Sequence, residues 1–240
     1  MPRFFCDEIS GKTARITGTD ALHIYKSLRA SPGDKFTLCD GKGYDYYVTA
    51  ESVSADEILF SVLEKFKNET EPEIKVTLFQ CLPKGDKFDG IIQKSVELGV
   101  YNIVPVISEF CVSRPDFTVF EKRRERLNKI ALAAAKQCGR GIIPKVLPIN
   151  TFDETLEEIK NAPTLFFYEG GGDACDKYID KNTKRLNILI GPEGGFSDSE
   201  AKSVTAAGAK AVTLGKRILR TETAPVTALS VVMFLTGNLS

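Results

Sequence analysis

Two short segments in the last quarter of the chain carry residue types that could hold a ligand. The first is Gly191-Pro192-Glu193-Gly194-Gly195, which directly follows the apolar run at residues 186–190. Glycines let a backbone come close to a bound molecule, and Pro192 stiffens the curve that they form. Such a loop suits recognition of an adenine edge or a ribose by main-chain groups. A tight turn that leads into the next helix explains the same residues equally well.

The second segment places Arg217, Arg220 and Glu222 within six positions, between an apolar strand and the last helix. Arginines at this place could bind a phosphate or stabilise a developing anion, and Glu222 could accept a proton or position an arginine. The alternative is an Arg–Glu ion pair that ties the loop to the helix. Charged groups gathered beside a strand end favour a functional site.

The composition argues against several classes of protein and site. The 32 basic and 32 acidic residues balance, so a nucleic-acid surface would have to be a local patch. Residues 121–146 are such a patch, with eight basic and two acidic residues, although a solvated helix face explains them as well. One histidine and six cysteines without a CxxC pair argue against a zinc site or a histidine-based triad. We therefore expect no metal, and cysteines that are buried or neutral thiols.

Other nucleotide-binding motifs are missing from the sequence. Gly11-Lys12-Thr13 matches the end of a phosphate-binding loop, but Cys6 stands where the earlier glycine is required. No GxGxxG string follows a strand, which argues against a dinucleotide site. The N-terminus lacks the apolar stretch of a signal peptide, and no segment has the roughly 18 apolar residues that would span a bilayer. We therefore expect a cytoplasmic protein with no membrane segment.

The secondary-structure pattern changes once along the chain. Before residue 70, β-forming runs and one helix at 21–29 predict a small β-barrel or sandwich. The polar segment 65–73 is typical of a linker, so we predict domains 1–70 and 71–240. The later strands alternate with helices, which predicts a mostly parallel α/β sheet with its ligand at the carboxyl ends of the strands. The predicted strands are 36–39, 44–49, 58–63, 74–80, 103–107, 163–168, 186–190 and 211–214, and the later predicted helices are 87–98, 117–138, 154–160, 197–207 and 223–235.

Together, the two segments closely resemble the ribosomal small-subunit RNA uridine-N3 methyltransferases, the RsmE family. The matching strings are residues 189–197 and 214–224, and further ones follow the family's order through the whole chain. These are Pro2-Arg3-Phe4-Phe5, residues 23–29 with Gly33-Asp34, Lys84-Gly85-Asp86-Lys87, residues 93–99, and Gln137-Cys138-Gly139-Arg140 with Pro144. Lys216 departs from the resemblance, because relatives commonly carry proline there.

This resemblance implies an N-terminal PUA-like β-barrel that binds RNA and a C-terminal SPOUT α/β domain with a deep trefoil knot. It also implies a homodimer that binds S-adenosylmethionine and acts on 16S ribosomal RNA of the small subunit. The cofactor-binding residues that it implies are Phe167, Tyr168, Leu189, Ile190, Gly191, Pro192, Glu193, Gly194, Leu214, Gly215, Ile218, Leu219, Arg220, Thr223 and Ala224.

The resemblance leads to expected roles for charged side chains. We expect Arg220 to orient or stabilise a uracil anion, and Glu222 to act as a positioning group or a proton acceptor. The residues expected to bind RNA are Arg3, Arg29, Arg123, Arg124, Arg126 and Arg140. Two alternatives stay open. One is a SPOUT enzyme that methylates a ribose 2′-hydroxyl or a transfer RNA base, and the other is a non-enzymatic RNA-binding or assembly factor.

Overall fold

The computed structural model describes residues 1–239, in which the chain forms two units. Unit 1 consists of Met1–Glu71 together with Ala135–Ile143, and unit 2 consists of Pro72–Ala134 together with the chain from Pro144 onward. Unit 1 therefore includes a segment from the middle of the chain. The predicted domains, 1–70 and 71–240, place that segment in the second domain.

Unit 1 is built on a six-stranded sheet and one helix. The helix α1 is Gly18–Lys26, and the strands are β1 (Arg3–Phe5), β2 (Glu8–Ser10), β3 (Thr13–Thr17), β4 (Lys35–Cys39), β5 (Tyr44–Val53) and β6 (Glu57–Lys67). The strand order is β1-β4-β5-β6-β3-β2, and only the β1–β4 pair is parallel. The edge strands β1 and β2 do not pair with each other among the described residues, so the sheet is curled but open there.

The core of unit 1 follows from alternation along its strands. In β3, Ala14 and Ile16 point inward while their neighbours are exposed, as expected for a strand with one buried face. They join Phe36 and Phe60, whose rings meet edge to face at a centroid distance of 5.6 Å, and Ile24 from α1. The sheet therefore wraps around one apolar core.

Two predictions for unit 1 need correction. The predicted linker at 65–73 begins inside β6, because Lys65 and Lys67 pair with Tyr46 and Tyr44 across a long hairpin. The backbone ladder extends the strand through residues whose polar side chains suggested a loop. The predicted helix at 21–29 instead starts at Gly18 and ends at Lys26.

Unit 2 contains a parallel sheet with helices between its strands. The strands are β7 (Lys75–Cys81), β8 (Asn102–Ile107), β9 (Lys145–Val146), β10 (Asn150–Thr151), β11 (Thr164–Phe167), β12 (Arg185–Ile190) and β13 (Lys210–Val212). The helices are α2 (Lys87–Glu97), α3 (Phe117–Cys138), α4 (Phe152–Ile159), α5 (Asp198–Ala206) and α6 (Ala224–Leu235). The end of α3, from Ala135, belongs to unit 1. The strand order is β10-β8-β7-β12-β11-β13 with β9 beside β8, and every pair is parallel. The predicted α/β class is confirmed, and the trefoil knot stays a prediction.

Local signals explain how the elements of unit 2 begin and end. Ser197 caps α5 by accepting a hydrogen bond from the Glu200 amide at 3.3 Å, and Glu200 accepts one from the Ser197 amide at 3.1 Å. This reciprocal pair is a capping box, which satisfies amides that the first helical turn leaves unpaired. The strand β12 is buried almost throughout, as expected for a central parallel strand covered on both faces.

The other predictions from composition concern membranes, metals and thiols. Within residues 1–239, no helix is both long enough and apolar enough to cross a membrane. The same residues contain no group of three or more His, Cys, Asp or Glu side chains placed to hold a metal ion. All six cysteines are free, and only Cys138 is more than slightly exposed. Burial raises the pKa of Cys39 to about 12, so that thiol is neutral as predicted.

Candidate active site

The candidate site lies where four neighbouring strands of unit 2 end. The strands β7, β12, β11 and β13 are adjacent and parallel, so the loops that follow them leave the sheet at one edge. These loops surround a pocket of about 550 Å³, a size typical of small-molecule and cofactor sites. Its lining residues are Lys87, Phe167, Tyr168, Glu169, Ile190, Gly191, Pro192, Glu193, Gly194, Gly195, Val212, Thr213, Leu214, Gly215, Lys216, Arg217, Ile218, Leu219, Arg220, Thr221 and Ala224.

The loop after β12, residues 191–195, packs closely against its surroundings because its three glycines carry no side chains. The Gly195 amide donates to the Pro192 carbonyl at 3.1 Å, and Gly195 has a φ of +68°. A Cβ on Gly195 would collide with the Glu169 carboxylate, which accepts a hydrogen bond from the Phe196 amide at 3.1 Å. Only glycine satisfies both the backbone conformation and this close approach.

The same loop folds back onto β11 through aromatic packing. The Phe196 ring meets the Phe166 ring edge to face, with 4.9 Å between centroids. A Cβ on Gly191 would lie 2.8 Å from the Phe196 ring, so the ring occupies the space that a larger residue at position 191 would need. The glycine loop is therefore a packed wall of the pocket and is more than a connection to α5.

Buried polar groups join this loop to the segment before α6, residues 214–222. The Thr221 hydroxyl donates to the Gly191 carbonyl at 2.9 Å. The Gln80 side-chain amide at the end of β7 lies 3.4 Å from both the Gly191 carbonyl oxygen and the Thr221 hydroxyl oxygen. Gln80 and Thr221 are buried, where such hydrogen bonds are shielded from competing water. The two predicted segments thus meet beneath the pocket.

Charged groups join the same two loops at the rim. The Lys87 ammonium, on the first residue of α2, lies 2.8 Å from Glu193 Oε1 and 3.3 Å from Glu222 Oε2. The Lys84 amide is 3.2 Å from each carboxylate oxygen of Glu193. The chain from Lys84 to Lys87, where α2 begins, therefore binds an acidic side chain from each of the other two loops.

The pKa values of these groups shift in the directions that the pairing favours. Glu193 first, and then Glu222, raise the pKa of Lys87. Burial raises the pKa of Glu193, but the Lys87 ammonium and backbone amides outweigh it and the net pKa is lowered. The pKa of Glu222 is lowered by its own backbone amide first and then by Lys87. All three groups therefore carry full charge near neutral pH.

Most of the residues predicted to bind the cofactor line this pocket. Leu189 and Thr223 do not: the Leu189 side chain is fully buried in the sheet, and Thr223 is the residue before α6. Sequence reasoning missed several lining residues, above all Lys87 and Glu169. The sequence does contain a signal for Lys87, which ends the family-like string Lys84-Gly85-Asp86-Lys87, but the resemblance gives that string no predicted role.

The two predicted catalytic residues occupy different positions at the pocket. Arg220 lines it and is exposed, while its backbone carbonyl accepts hydrogen bonds from the amides of Thr223 and Ala224 at 2.8 and 2.9 Å. Glu222 is half-buried beside Lys87. Within residues 1–239 the ion pair of Glu222 is with Lys87, so the Arg–Glu pair considered from the sequence does not form.

Two of the three predicted RNA contacts in unit 1 are largely buried. The Arg140 side chain is 3% exposed, and its guanidinium binds the Glu71 carboxylate at 2.8 and 2.9 Å. Arg3 binds Asp45 at 2.8 Å and the Arg140 carbonyl at 2.9 Å. Both guanidinium groups are already paired within unit 1, which disfavours them as phosphate contacts, and their RNA-binding role stays a prediction.

The other predicted RNA contacts remain at the surface. Arg29 is exposed and adopts a φ of +52°. On α3, Arg124 pairs with Glu121, and Arg126 holds Asp89 through two bonds of 2.6 and 2.8 Å. Within the described part of the chain Arg123 forms no ion pair. These four arginines therefore differ in their availability to bind a phosphate, because Arg124 and Arg126 already have acidic partners.

Comparison with known proteins identifies the family. The family described as an RNA methyltransferase domain matches residues 70–233, and the RNA methyltransferase PUA domain matches residues 16–63. A ribosomal RNA small subunit methyltransferase E from Bacillus subtilis is 35% identical over 232 residues, which cover 93% of this chain and 91% of the relative. The chain belongs to the ribosomal RNA small subunit methyltransferase E family.

Further members of the methyltransferase E family agree with this assignment. The one from Mesomycoplasma hyopneumoniae is 36% identical over 228 residues, covering 94% of this chain and 96% of the relative. A crystal structure of the Neisseria gonorrhoeae member bound to S-adenosyl methionine has a TM-score of 0.87 at 34% identity, with 98% of each chain covered. The resemblance inferred from the strand-end segments is confirmed at full length.

Proposed function

We propose that this chain is an S-adenosylmethionine-dependent methyltransferase that methylates N3 of a uridine in 16S ribosomal RNA of the small subunit, in the cytoplasm. The observation that carries the proposal is the 550 Å³ pocket, built in a member of this family from the two segments that the sequence singles out. A ligand at the carboxyl ends of parallel strands is the arrangement expected of an α/β sheet.

The lining of the pocket fits this methyl donor chemically. Apolar side chains suit the flat adenine, such as Ile190 and Val212 at the strand ends and Leu219 in the segment before α6. The glycine-containing backbone at 191–195 and Gly215 lets main-chain groups come close to a ribose or an amino-acid end. Carboxylates at the rim suit a cationic ligand. We propose that these residues hold S-adenosylmethionine, which supplies an electrophilic methyl group when bound.

The protein's own contribution to the reaction is to position the base and to stabilise charge. Free uridine keeps its N3 proton at neutral pH, so we propose that this proton passes to solvent water before N3 acts as the nucleophile. We propose that the exposed Arg220 guanidinium stabilises the uracil anion at its flanking carbonyl oxygens. The lowered pKa of Glu222 makes it a weak base, which favours positioning over proton acceptance.

The proposal assigns roles to the rest of the molecule. Residues 1–70 are proposed as the RNA-binding domain and residues 71–240 as the knotted methyltransferase domain, with Arg29, Arg123, Arg124 and Arg126 as RNA contacts. We also propose a homodimer. The resemblance implies this dimer, and unit 2 exposes large apolar side chains that a subunit interface would cover. They include Val112, Val119 and Phe234, which is 69% exposed.

An Arg220→Ala variant tests the catalytic assignment. We expect methyl transfer to fall by about 100-fold to 1000-fold, because a charge-stabilising donor is lost, while calorimetry shows cofactor affinity within about threefold of wild type. Arg185→Ala is the matched control, since Arg185 begins β12 at the opposite end of the strand from the pocket. Loss of cofactor binding in Arg220→Ala would instead make Arg220 a structural residue.

The product distinguishes the proposal from its alternatives. Mass spectrometry of nucleosides from a deletion strain is expected to show loss of N3-methyluridine from 16S ribosomal RNA, restored by the wild-type gene. Loss of a ribose 2′-O-methyl group or of a transfer RNA modification would identify another SPOUT activity. A wild-type protein that binds no S-adenosylmethionine would indicate a non-enzymatic RNA-binding factor.

A further inference from the structure

Lys87 occupies a position at which three loops of unit 2 come together. It is the first residue of α2 and lines the pocket, although it lies more than a hundred residues before the two segments that form the other walls. Its Nζ is 2.8 Å from Glu193 Oε1, in the glycine loop, and 3.3 Å from Glu222 Oε2, in the segment before α6. One cation therefore lies between a carboxylate from each wall.

The neighbouring backbone strengthens this arrangement on one side. The Lys84 amide lies 3.2 Å from both Glu193 oxygens, so Glu193 has a fixed backbone partner besides Lys87. Glu222 has Lys87 as its ion-pair partner within residues 1–239. Loss of Lys87 would therefore leave Glu193 anchored to the segment before α2, while Glu222 would lose the group that holds it to the same place.

The energetic effect of Lys87 differs from that of an ordinary surface ion pair. Its side chain is 37% exposed, and isolated pairs of this exposure contribute little because water and salt screen them. Here, however, the ammonium separates two carboxylates that would otherwise face each other as like charges. Removing it both breaks two attractions and creates a repulsion between the walls of the pocket, and groups in one network are coupled more strongly than separate pairs.

We propose that Lys87 is a positioning residue that holds the glycine loop and the Glu222 segment in the arrangement needed for methyl transfer. Lys87 acts through Glu193 on the cofactor wall and through Glu222 on the wall that faces the uracil. This inference rests on the proposed function, and it deepens that function by adding a residue outside both predicted segments.

Two substitutions separate charge from size at this position. In Lys87→Met the chain length stays similar and the charge is lost. We expect the KM for S-adenosylmethionine to rise and kcat to fall, each by about 10-fold, within the range seen for coupled charges. In Lys87→Arg the charge is retained, and we expect most of both effects to be reversed. Lys160→Met is the matched control, because Lys160 pairs with Glu157 on α4, away from the pocket.

A double-mutant cycle tests whether Lys87 acts through Glu222. Glu222→Gln alone is expected to lower kcat, and adding Lys87→Met to it is expected to lower kcat by less than about threefold more, since the shared interaction is already lost. A parallel cycle with Glu193→Gln is expected to show the same non-additivity in the KM for S-adenosylmethionine. Thermal unfolding of each variant confirms that it is folded, and Lys87→Gln replaces Lys87→Met if the latter is not.

The outcomes separate this inference from the proposed function. Lys87→Met with kcat and KM within twofold of wild type would overturn the positioning role, as would fully additive cycles or a Lys87→Arg variant as impaired as Lys87→Met. Failure of the wild-type protein to bind S-adenosylmethionine or to methylate 16S ribosomal RNA would overturn the proposed function instead.

Discussion

Arg29 shows how a single residue can conflict with its own backbone. It is the only residue other than glycine with a positive φ in residues 1–239, at +52°. It follows α1, where the Ala30 amide donates back to the Ile24 carbonyl at 3.2 Å. Helices commonly end on a glycine in this conformation, because a side chain costs energy there. A charged side chain retained at such a place suggests a role beyond folding.

Replacing Arg29 by glycine should therefore separate stability from RNA binding. We expect Arg29→Gly to raise the free energy of unfolding by about 0.5 to 1 kcal/mol, since the strain is relieved but the unfolded chain gains freedom. Its affinity for 16S ribosomal RNA is expected to fall. Urea denaturation and filter binding measure the two effects. Arg29→Lys is the control, because it keeps both the charge and the strain. Lower stability of Arg29→Gly would show that the guanidinium supports the fold.

The loops are the elements on which the pocket depends. Parallel strands bring their carboxyl ends to one edge, so β7, β11, β12 and β13 place their following loops side by side. The glycine loop keeps its form because neighbouring side chains fill the space that its own side chains would occupy. Its backbone conformation and its close packing can be tested separately, because Gly208 in unit 2 has a positive φ but no close neighbour.

That comparison is between Gly195 and Gly208. Both have positive φ, +68° and +99°, but a Cβ on Gly208 would meet nothing within 4 Å, whereas one on Gly195 would strike Glu169. We expect either substitution by alanine to lower stability by about 1 kcal/mol through backbone strain. Calorimetry should show S-adenosylmethionine affinity reduced by more than about 10-fold in Gly195→Ala alone. Equal affinity in both variants would mean that the Glu169 contact does not shape the pocket.

At the scale of the whole molecule, charge is balanced and RNA binding must come from local surfaces. The net charge is zero, so long-range attraction to a polyanion is weak and individual arginines matter. On α3, Arg126 already pairs with Asp89 of α2, and Arg124 pairs with Glu121. Arg123 is the arginine of this cluster without an acidic partner in the described part of the chain.

The salt dependence of RNA binding should reflect this difference. We expect Arg123→Ala to reduce the log–log slope of affinity against salt concentration by roughly 0.7 to 0.9, the effect of one lost phosphate contact. Arg126→Ala should reduce it less, because Asp89 already balances that charge. Lys202→Ala on α5 is the control. If neither Arg123→Ala nor Arg126→Ala changed the salt dependence of binding to assembled small subunits, these arginines would form only a solvated helix face.

Much of the element pattern was predictable because its signals are local. Helix α3 spans the predicted residues, and the Ser197–Glu200 capping box forms as its spacing indicates. Short strands such as β9 and β10 were missed, since two residues carry no recognisable periodicity. The extension of β6 through Lys67 was missed because cross-strand pairing overrides the polar character of its last residues.

The sequence by itself determined the family, the α/β class and two of the walls of the pocket, because strand-end loops and their glycines are encoded in continuous segments. Only the tertiary structure decided which distant groups complete the site. Lys87 and Glu193 are 106 positions apart, and no local pattern could pair them. The same holds for Arg140, whose basic side chain suggested RNA and whose partner in the fold is Glu71. Side-chain partners across a fold depend on long-range packing, whereas periodicity reports only the neighbours along the chain.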